Sequence, residues 1–184
     1  MSIEKYTTEC FVIESFDSGE HDRVYKLFTR EFGMLTAHAR SIRKLGSKLR
    51  AHTLPRTRSY ITLVKGRDIW RLVGAQEKEE APKIIHEVIQ LINRFIRGEG
   101  EHKILYDRLT QFFDKSSSYE NQKSRLLFYY MILVDLGYAD AKIIGAKGMN
   151  EYISWSVDDL YTHLLLSYKD VRTHVGEVMK EIQL

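Results

Sequence analysis

The hydrophobic pattern of this chain changes its period once, near residue 77, and that change limits the folds that the chain can adopt. Before that point, apolar and polar residues alternate within short segments, which is typical of β-strands with one buried face. Beyond it, apolar residues recur every three or four positions, as they do on one face of an α-helix. The sequence therefore predicts a mixed α+β protein with two domains, a strand-rich domain over residues 1–76 and an all-α helical domain over residues 77–184.

Short segments of the first half have the composition of strands and are bounded by turn residues such as Gly19 and Gly66. In one of them Leu35, Ala37 and Ala39 alternate with polar residues. Several short strands in so small a domain favour a Greek-key barrel, and the five-stranded OB-fold is the commonest nucleic-acid-binding example. The predicted strands are Thr8–Ser15, Val24–Thr29, Leu35–Arg40, Tyr60–Lys65 and Ile69–Ala75.

The second half contains segments of helical period. One of them, Leu126–Val134, is apolar all round, so we expect a central buried helix, which Gly137 ends. Residues 139–155 have no clear period, and we expect a loop there. Another predicted helix begins near Ala81-Pro82 and ends before Gly98. Three more are predicted over Ile104–Phe113, Val157–Leu166 and Asp170–Ile182.

Basic residues are concentrated in one stretch of the first half. No acidic residue occurs from Phe32 to Arg67, although the whole chain is nearly balanced, with 28 basic and 25 acidic residues. A concentrated positive field favours a polyanion, because each phosphate that is neutralised releases condensed counterions. The alternative is a solvated basic face without a partner. The basic residues are Arg40, Arg43, Lys44, Lys48, Arg50, Arg56, Arg58, Lys65 and Arg67.

The sequence contains no persuasive active site, metal site or cofactor site. The single cysteine, Cys10, excludes an intramolecular disulfide and a multi-cysteine zinc site. The pair His86-Glu87 lacks the second histidine of a zinc protease, since residue 90 is Gln. A nuclease that uses scattered acids is a further alternative, which the acid-free basic stretch argues against. No apolar run is long enough to span a bilayer, so we expect a soluble intracellular protein.

Aromatic residues of the strand-rich half have two possible roles. Phe28, Phe32, Tyr60 and Trp70 either belong to the barrel core or stack on nucleobases. A base that stacks on an aromatic ring contributes roughly 1–3 kcal/mol to binding without reading sequence. The sequence leaves both roles open for each of them.

An ordered set of short motifs runs through residues 7–76. In this order they resemble the N-terminal domain of the RecO recombination-mediator family. Farther along, Arg125–Phe128 and Leu136–Tyr138 are similar to the helical domain of the same family. The motifs are Gly19-Glu20, Asp22-Arg23, Leu27-Phe28-Thr29, Gly33, Ala39-Arg40, Arg43-Lys44, Ser47, Leu54-Pro55, Lys65-Gly66-Arg67 and Trp70.

The chain departs from the family pattern at two places. Ser41 stands where the family usually has glycine. Many members carry a four-cysteine zinc element just after Leu-Gly-Tyr, whereas residues 139–155 of this chain contain no cysteine. The chain is also shorter than usual members. The resemblance therefore implies a short, zinc-free form.

The resemblance implies a non-enzymatic protein of the cytoplasm that associates with the nucleoid. Such proteins bind single- and double-stranded DNA, anneal complementary strands, and with RecR help to load RecA onto DNA coated by single-stranded-DNA-binding protein. An RNA-binding translation or ribosome-assembly factor is the alternative, because small basic barrels serve both nucleic acids. We expect no cofactor, metal or membrane partner.

Two sets of candidate site residues follow. The RecO helical domain can dock the acidic, apolar C-terminal tail of single-stranded-DNA-binding protein, and the resemblance points to Arg125, Phe128 and Tyr129 for that role. A tail of this kind needs a cation for its carboxylates and an apolar pocket for its aromatic end. The expected phosphate-binding residues are Arg40, Arg43, Lys44, Lys48, Arg50, Arg56 and Arg58.

Overall fold

The computed structural model describes residues 4–47, 49–67, 69–80, 83–96, 98–114 and 121–182. The chain divides into two compact units, residues 1–103 and residues 104–184. The boundary predicted at residue 76 falls inside the last strand of the first unit, which continues to Glu80. The helix that follows that strand also belongs to the first unit. The predicted start of this helix at Ala81-Pro82 lies outside the described residues.

The first unit contains a closed five-stranded barrel in the order β1-β2-β3-β5-β4. Neighbouring strands are antiparallel except β3 and β5, which are parallel. This arrangement confirms the predicted OB-fold barrel in a mixed α+β protein. The strands are β1 (Lys5–Ser18), β2 (Asp22–Thr29), β3 (Gly33–Ala39), β4 (Thr57–Lys65) and β5 (Trp70–Glu80).

Strand β1 is longer than the sequence predicted because it has two partners. Its first part, Lys5–Phe11, pairs with β4, and its second part, Cys10–Ser18, pairs with β2. The register shifts between Val12 and Glu14, which marks a bulge at the change of partner. A bulge bends a strand and increases its twist, so β1 passes from one side of the barrel to the other and closes it.

The barrel core consists of the inward residues of all five strands. Leu35, Ala37 and Ala39 are each at most 2% exposed, as the alternation along β3 predicts. Phe28 and Trp70 are also buried, whereas Tyr60 is 44% exposed. The rings of Tyr6, Phe32 and Trp70 pack together with centroids 5.1–5.6 Å apart. The aromatic residues of this half are therefore mainly part of the packed barrel, with Tyr60 as the exposed exception.

Ser41 adopts a backbone conformation that suits glycine. Its φ is +54°, and its N–H donates to Asp22 Oδ1 over 2.7 Å. A left-handed conformation costs a residue with a Cβ atom roughly 1–2 kcal/mol, and glycine avoids that cost. The strain accounts for the glycine that the RecO pattern usually has at this position.

Replacement of Ser41 by glycine is expected to raise the free energy of unfolding by roughly 0.5–1 kcal/mol, since relief of strain outweighs the added freedom of the unfolded chain. Urea unfolding of both proteins measures the difference. Ser47→Gly is the matched control, because Ser47 lies in the same loop without a positive φ. Ser47→Gly is expected to lower stability, so an equal effect of both substitutions would contradict the assignment of strain to Ser41.

Helix α1 (Lys83–Phe95) completes the first unit. Its residue Asn93 contacts β1, where the side-chain Nδ2 donates to Glu14 Oε1 over 2.6 Å.

The second unit is helical. None of the described helices is both long and apolar enough to cross a membrane. The remaining helices are α2 (Lys103–Asp114), α3 (Gln122–Asp135), α4 (Met149–Ser154), α5 (Val157–Leu166) and α6 (Tyr168–Ile182).

Helix α3 is the central helix of the second unit, as its apolar sequence predicts. Its last two turns are buried on nearly every side, and Asn121 caps its start by accepting from the Ser124 N–H over 3.0 Å. Gly137 follows the helix with a φ of +79°, and the Tyr138 N–H donates to the Leu133 carbonyl over 2.7 Å. This bond pattern is that of a glycine-terminated helix.

The prediction of a loop over residues 139–155 is wrong for most of that segment. It contains a 3₁₀-helix, Ala141–Ile144, and the short helix α4. Asp140 caps the 3₁₀-helix by accepting from the Lys142 N–H over 2.9 Å, and Gly145 ends it with a φ of +95°. Elements of four and six residues are too short to establish a hydrophobic period, so they are fixed by caps and by burial of Ile144 and Tyr152.

Candidate nucleic-acid interface

The segment from Arg40 to Arg56 connects β3 to β4 and carries most of the candidate cations. Its first half is tied to the turn between β1 and β2, where the Arg43 N–H donates to the His21 carbonyl over 3.0 Å. Two successive turns follow, closed by bonds from Lys44 N–H to the Ser41 carbonyl and from Ser47 N–H to the Lys44 carbonyl. This half therefore projects its side chains from a hydrogen-bonded base.

The second half of the segment is attached to the barrel itself. A short 3₁₀-helix, Arg50–His52, precedes the buried Thr53, whose hydroxyl lies 3.0 Å from the hydroxyl of Tyr25 in the core. The Arg56 N–H donates to the Val12 carbonyl over 2.6 Å, and Arg56 itself has a φ of +71°. These contacts hold both ends of the basic segment in place against β1 and β2.

Four of the candidate cations are exposed and available. Arg40, Lys44, Arg50 and Arg56 lie on the surface, and none of them forms an ion pair with another residue that the structure describes. Lys48 lies outside the described residues. Exposed cations that lack a carboxylate partner keep their field for a ligand, so these four are the main candidates for phosphate contacts. We call them the basic surface.

Arg43 is exposed as well, but part of its guanidinium is already engaged. Nη2 lies 3.4 Å from Asp17 Oδ2, and Nη1 donates to the Gly19 carbonyl over 3.1 Å. Arg43 therefore helps to hold the basic segment on the β1–β2 turn. It remains a candidate phosphate contact with a second, structural role.

Arg58 must be removed from the candidate phosphate surface. Its side chain is 2% exposed, and Nη2 lies 3.8 Å from Glu9 Oε1 on the neighbouring strand β1. Thr57 and Ser59, on either side of it, are buried too, because the start of β4 is covered on both faces. A buried guanidinium beside a carboxylate serves the packing of the barrel and does not reach a phosphate.

The three candidate residues of the helical unit also differ in exposure. Arg125 is exposed on α3, and Tyr129, one helical turn later, is partly exposed. Phe128 is completely buried, with its ring centroid 3.7 Å from that of Phe112 on α2. Arg125 and Tyr129 lie one turn apart and reach the surface, whereas Phe128, between them in sequence, packs into the core. Phe128 therefore cannot line a surface pocket, and Arg125 and Tyr129 remain as candidates.

The described residues contain no group of three histidine, cysteine, aspartate or glutamate side chains that could hold a metal ion. Cys10 is fully buried in β1, and burial raises the pKa of its thiol well above the ordinary value. The thiol therefore stays protonated and behaves as a small apolar side chain. That the protein binds no metal remains a prediction.

The sequence reasoning missed a set of side chains on the outer face of β2 and β3. Thr36 and His38 alternate with the buried residues of β3 and are followed, again two residues on, by Arg40. The register places Lys26 of β2 opposite Thr36. The alternation of apolar and polar residues that predicts β3 also places Thr36 and His38 on its outer face. The sequence therefore contained the signal for these residues in its polar positions.

A closed barrel in the strand order β1-β2-β3-β5-β4, with a basic segment between β3 and β4, is an OB-fold domain. Residues 1–78 match the family model described as Recombination protein O N terminal. The N-terminal part of the chain is thus similar to the RecO family, and the comparisons support the resemblance that the motifs predict.

Proteins named DNA repair protein RecO are similar to this chain over different lengths. That of Heliobacterium modesticaldum is 33% identical over 105 residues, which cover 57% of this chain and 37% of that protein. That of Syntrophotalea carbinolica is 26% identical over 149 residues, which cover 74% of this chain and 58% of that protein. The chain therefore spans less than two thirds of the length of either relative.

Proposed function

We propose that this protein is a non-enzymatic DNA-repair and recombination mediator that binds single- and double-stranded DNA and anneals complementary strands. The observation that carries the proposal is the basic surface, four exposed cations on an OB-fold barrel that have no ion-pair partner among the described residues. The relatives named DNA repair protein RecO support DNA as the polyanion. A strand-annealing assay with complementary oligonucleotides tests it directly, and no acceleration over the protein-free reaction would refute it.

Electrostatics explains how such a surface promotes annealing without catalysis. Two complementary strands repel each other, and cations that bind both backbones reduce that repulsion while they release counterions to the solvent. The surface reads no base edges, so it acts on strands of any sequence. We further propose that the protein works in the cytoplasm with RecR to load RecA, with the single-stranded-DNA-binding protein as a second partner.

Replacement of Arg40 and Lys44 together by alanine is expected to weaken binding to single-stranded DNA roughly ten- to thirtyfold at about 0.1 M salt. Each lost phosphate contact reduces the salt slope by about 0.7, which at this salt concentration lowers the binding constant by a factor of roughly five. Arg43 is left in place because it holds the loop. Fluorescence anisotropy over a series of salt concentrations measures both quantities.

The matched control removes two exposed lysines from the helical unit, Lys142 and Lys147. The two double variants have the same net charge, so a loss in both would indicate a general charge effect. An unchanged affinity and salt slope in a folded Arg40→Ala/Lys44→Ala protein would exclude the basic surface as the phosphate site. Binding of matched RNA more tightly than DNA would favour the translation-factor alternative, and cleavage of labelled DNA with Mg²⁺ would favour the nuclease.

Replacement of Arg125 by alanine is expected to weaken binding of the acidic C-terminal tail peptide of single-stranded-DNA-binding protein roughly fivefold. An exposed ion pair contributes up to about 1 kcal/mol, which corresponds to that factor. Calorimetry with the peptide measures the affinity, and Lys142→Ala serves as the control. DNA binding by the barrel should not change. If the wild-type protein does not bind the peptide, this chain lacks the tail site.

A further inference from the structure

Leu45 lies at the tip of the basic segment and projects fully into solvent. Its relative exposure is 103%, the highest among the large apolar residues that the structure describes. A single exposed leucine is common on a protein surface and by itself indicates no function. Leu45 differs from that ordinary case because a hydrogen-bonded loop holds it away from the barrel, among cations that are candidates for phosphate contacts.

Hydrogen bonds define the turn that carries Leu45. The Ser47 N–H donates to the Lys44 carbonyl over 3.0 Å, which closes a β-turn with Leu45 and Gly46 as its two central residues. A second turn comes directly before it, because the Lys44 N–H donates to the Ser41 carbonyl over 3.2 Å. A β-turn reverses the chain, so its central residues form the tip of the loop. The backbone therefore holds Leu45 outward.

The base of the same loop is fixed to the barrel. Ile42, three residues before Leu45, is 1% exposed and belongs to the apolar core. The Arg43 N–H donates to the His21 carbonyl over 3.0 Å, and Arg43 Nη1 donates to the Gly19 carbonyl over 3.1 Å. A ligand that contacts Leu45 therefore meets a supported side chain, and its binding needs little further ordering of the loop.

The charges that flank Leu45 indicate which ligand it meets. Lys44 is its neighbour in the chain, and Arg40 and Arg50 lie five residues to either side. All three are exposed, and none has an ion-pair partner among the residues that the structure describes. DNA whose phosphates contact these cations passes beside Leu45. Proteins that distort DNA insert leucine and similar apolar side chains between neighbouring bases and partly unstack them.

We propose that Leu45 is an apolar wedge that enters between two neighbouring bases of DNA bound to the basic surface. The proposal rests on the proposed function and adds to it a preference among duplexes. The gain from burying a leucine and the cost of unstacking one base step are of similar size, so insertion into a perfectly paired duplex gains little. At a mismatch part of the stacking is already lost, so burial of Leu45 there adds to affinity. The wedge therefore directs the protein to duplexes with a distorted step.

The test compares two duplexes with equal numbers of phosphates, one perfectly paired and one with a central mismatch. Wild-type protein should bind the mismatched duplex roughly three- to tenfold more tightly, since the stacking of one step corresponds to about a tenfold change in affinity. A 2-aminopurine base beside the mismatch should brighten on binding, because its fluorescence rises when it is unstacked. In Leu45→Ser both effects should disappear, while affinity for the paired duplex and the salt slope stay unchanged, because no phosphate contact is removed.

The matched control is Leu166→Ser, which makes the same change at an 80% exposed leucine of the helical unit. This variant and the conservative Leu45→Met should both keep the preference for the mismatch and the 2-aminopurine signal. Because Leu45 buries no surface, Leu45→Ser should leave the midpoint of urea unfolding unchanged, so its effects on DNA binding report on the wedge alone.

Equal binding of both duplexes by the wild-type protein, or an unchanged preference in Leu45→Ser, would overturn the wedge and leave the proposed function intact. Failure of the wild-type protein to bind any DNA would overturn both. Vesicles of phosphatidylserine and phosphatidylcholine test the other surface that a leucine among cations could enter. Vesicle binding that Leu45→Ser abolishes, with an unchanged 2-aminopurine signal, would assign Leu45 to a membrane surface and overturn the wedge.

Discussion

Replacement of Arg108 by methionine is expected to lower the free energy of unfolding by about 3–5 kcal/mol at pH 8, because it leaves Asp135 charged and buried without its partner. The two side chains are 4% and 6% exposed, and Arg108 Nη1 donates to Asp135 Oδ1 over 2.9 Å. Arg108 also donates to the Tyr152 carbonyl over 2.8 Å. The pair therefore joins α2, α3 and α4 in the interior of the helical unit.

The loss should shrink as the pH falls. Burial raises the pKa of Asp135 to about 6, from an ordinary value of 3.8, even though Arg108 beside it lowers that pKa. A carboxyl group with a raised pKa in the folded state binds protons more readily when folded, so its protonation stabilises the fold as the pH falls through that pKa. Without Arg108 the pKa of Asp135 rises further, and the variant should regain most of its stability between pH 8 and pH 5.

Urea unfolding at several pH values measures this effect, and the double variant Arg108→Met/Asp135→Leu is the control. A buried ion pair that is replaced by apolar side chains of similar size costs little, so the double variant should recover most of the loss at pH 8. A loss in Arg108→Met that does not depend on pH would indicate lost packing instead of an uncompensated charge.

The barrel was predictable from the sequence because alternation reports burial directly. The pattern of Leu35, Ala37 and Ala39 fixes which face of β3 points inward, and the structure buries all three. The burial of Arg58 could not be predicted in this way, since the charge of a residue does not indicate that the start of β4 is covered on both faces. The set of outward side chains on β2 and β3 depends on the pairing of Lys26 with Thr36, which is a matter of register and not of local pattern.

In the helical unit the sequence predicted long elements and missed short ones. Helix α3 is apolar over enough turns for its central position to be evident, and α5 covers the predicted residues. The polar interior around Arg108 was not predicted, because its partners Asp135 and Tyr152 lie far apart in the chain. Phe128 was placed on the surface beside Arg125, because positions three apart lie on one side of a helix. Its burial is decided by packing against Phe112 of α2, which the local sequence does not indicate.

Replacement of Gly33 by alanine is expected to lower the free energy of unfolding by roughly 2–5 kcal/mol, through two independent costs. A Cβ atom at Gly33 would lie 1.8 Å from the carbonyl oxygen of Gly100, so the backbone that crosses the end of β3 must move. Relief of such a contact costs typically 1–3 kcal/mol, and the φ of +63° adds roughly 1–2 kcal/mol for a residue with a Cβ atom.

Gly19→Ala separates the two costs of the Gly33 substitution. Gly19 has a similar φ of +69°, but a Cβ atom there would meet nothing within 4 Å. This variant should therefore lose only the roughly 1–2 kcal/mol of the left-handed conformation. Urea unfolding of both variants gives the difference, which measures the close approach of Gly33 to Gly100. Equal losses would mean that the segment around Gly100 yields without cost, and that its bridge to Gly33 does not help to hold the barrel together.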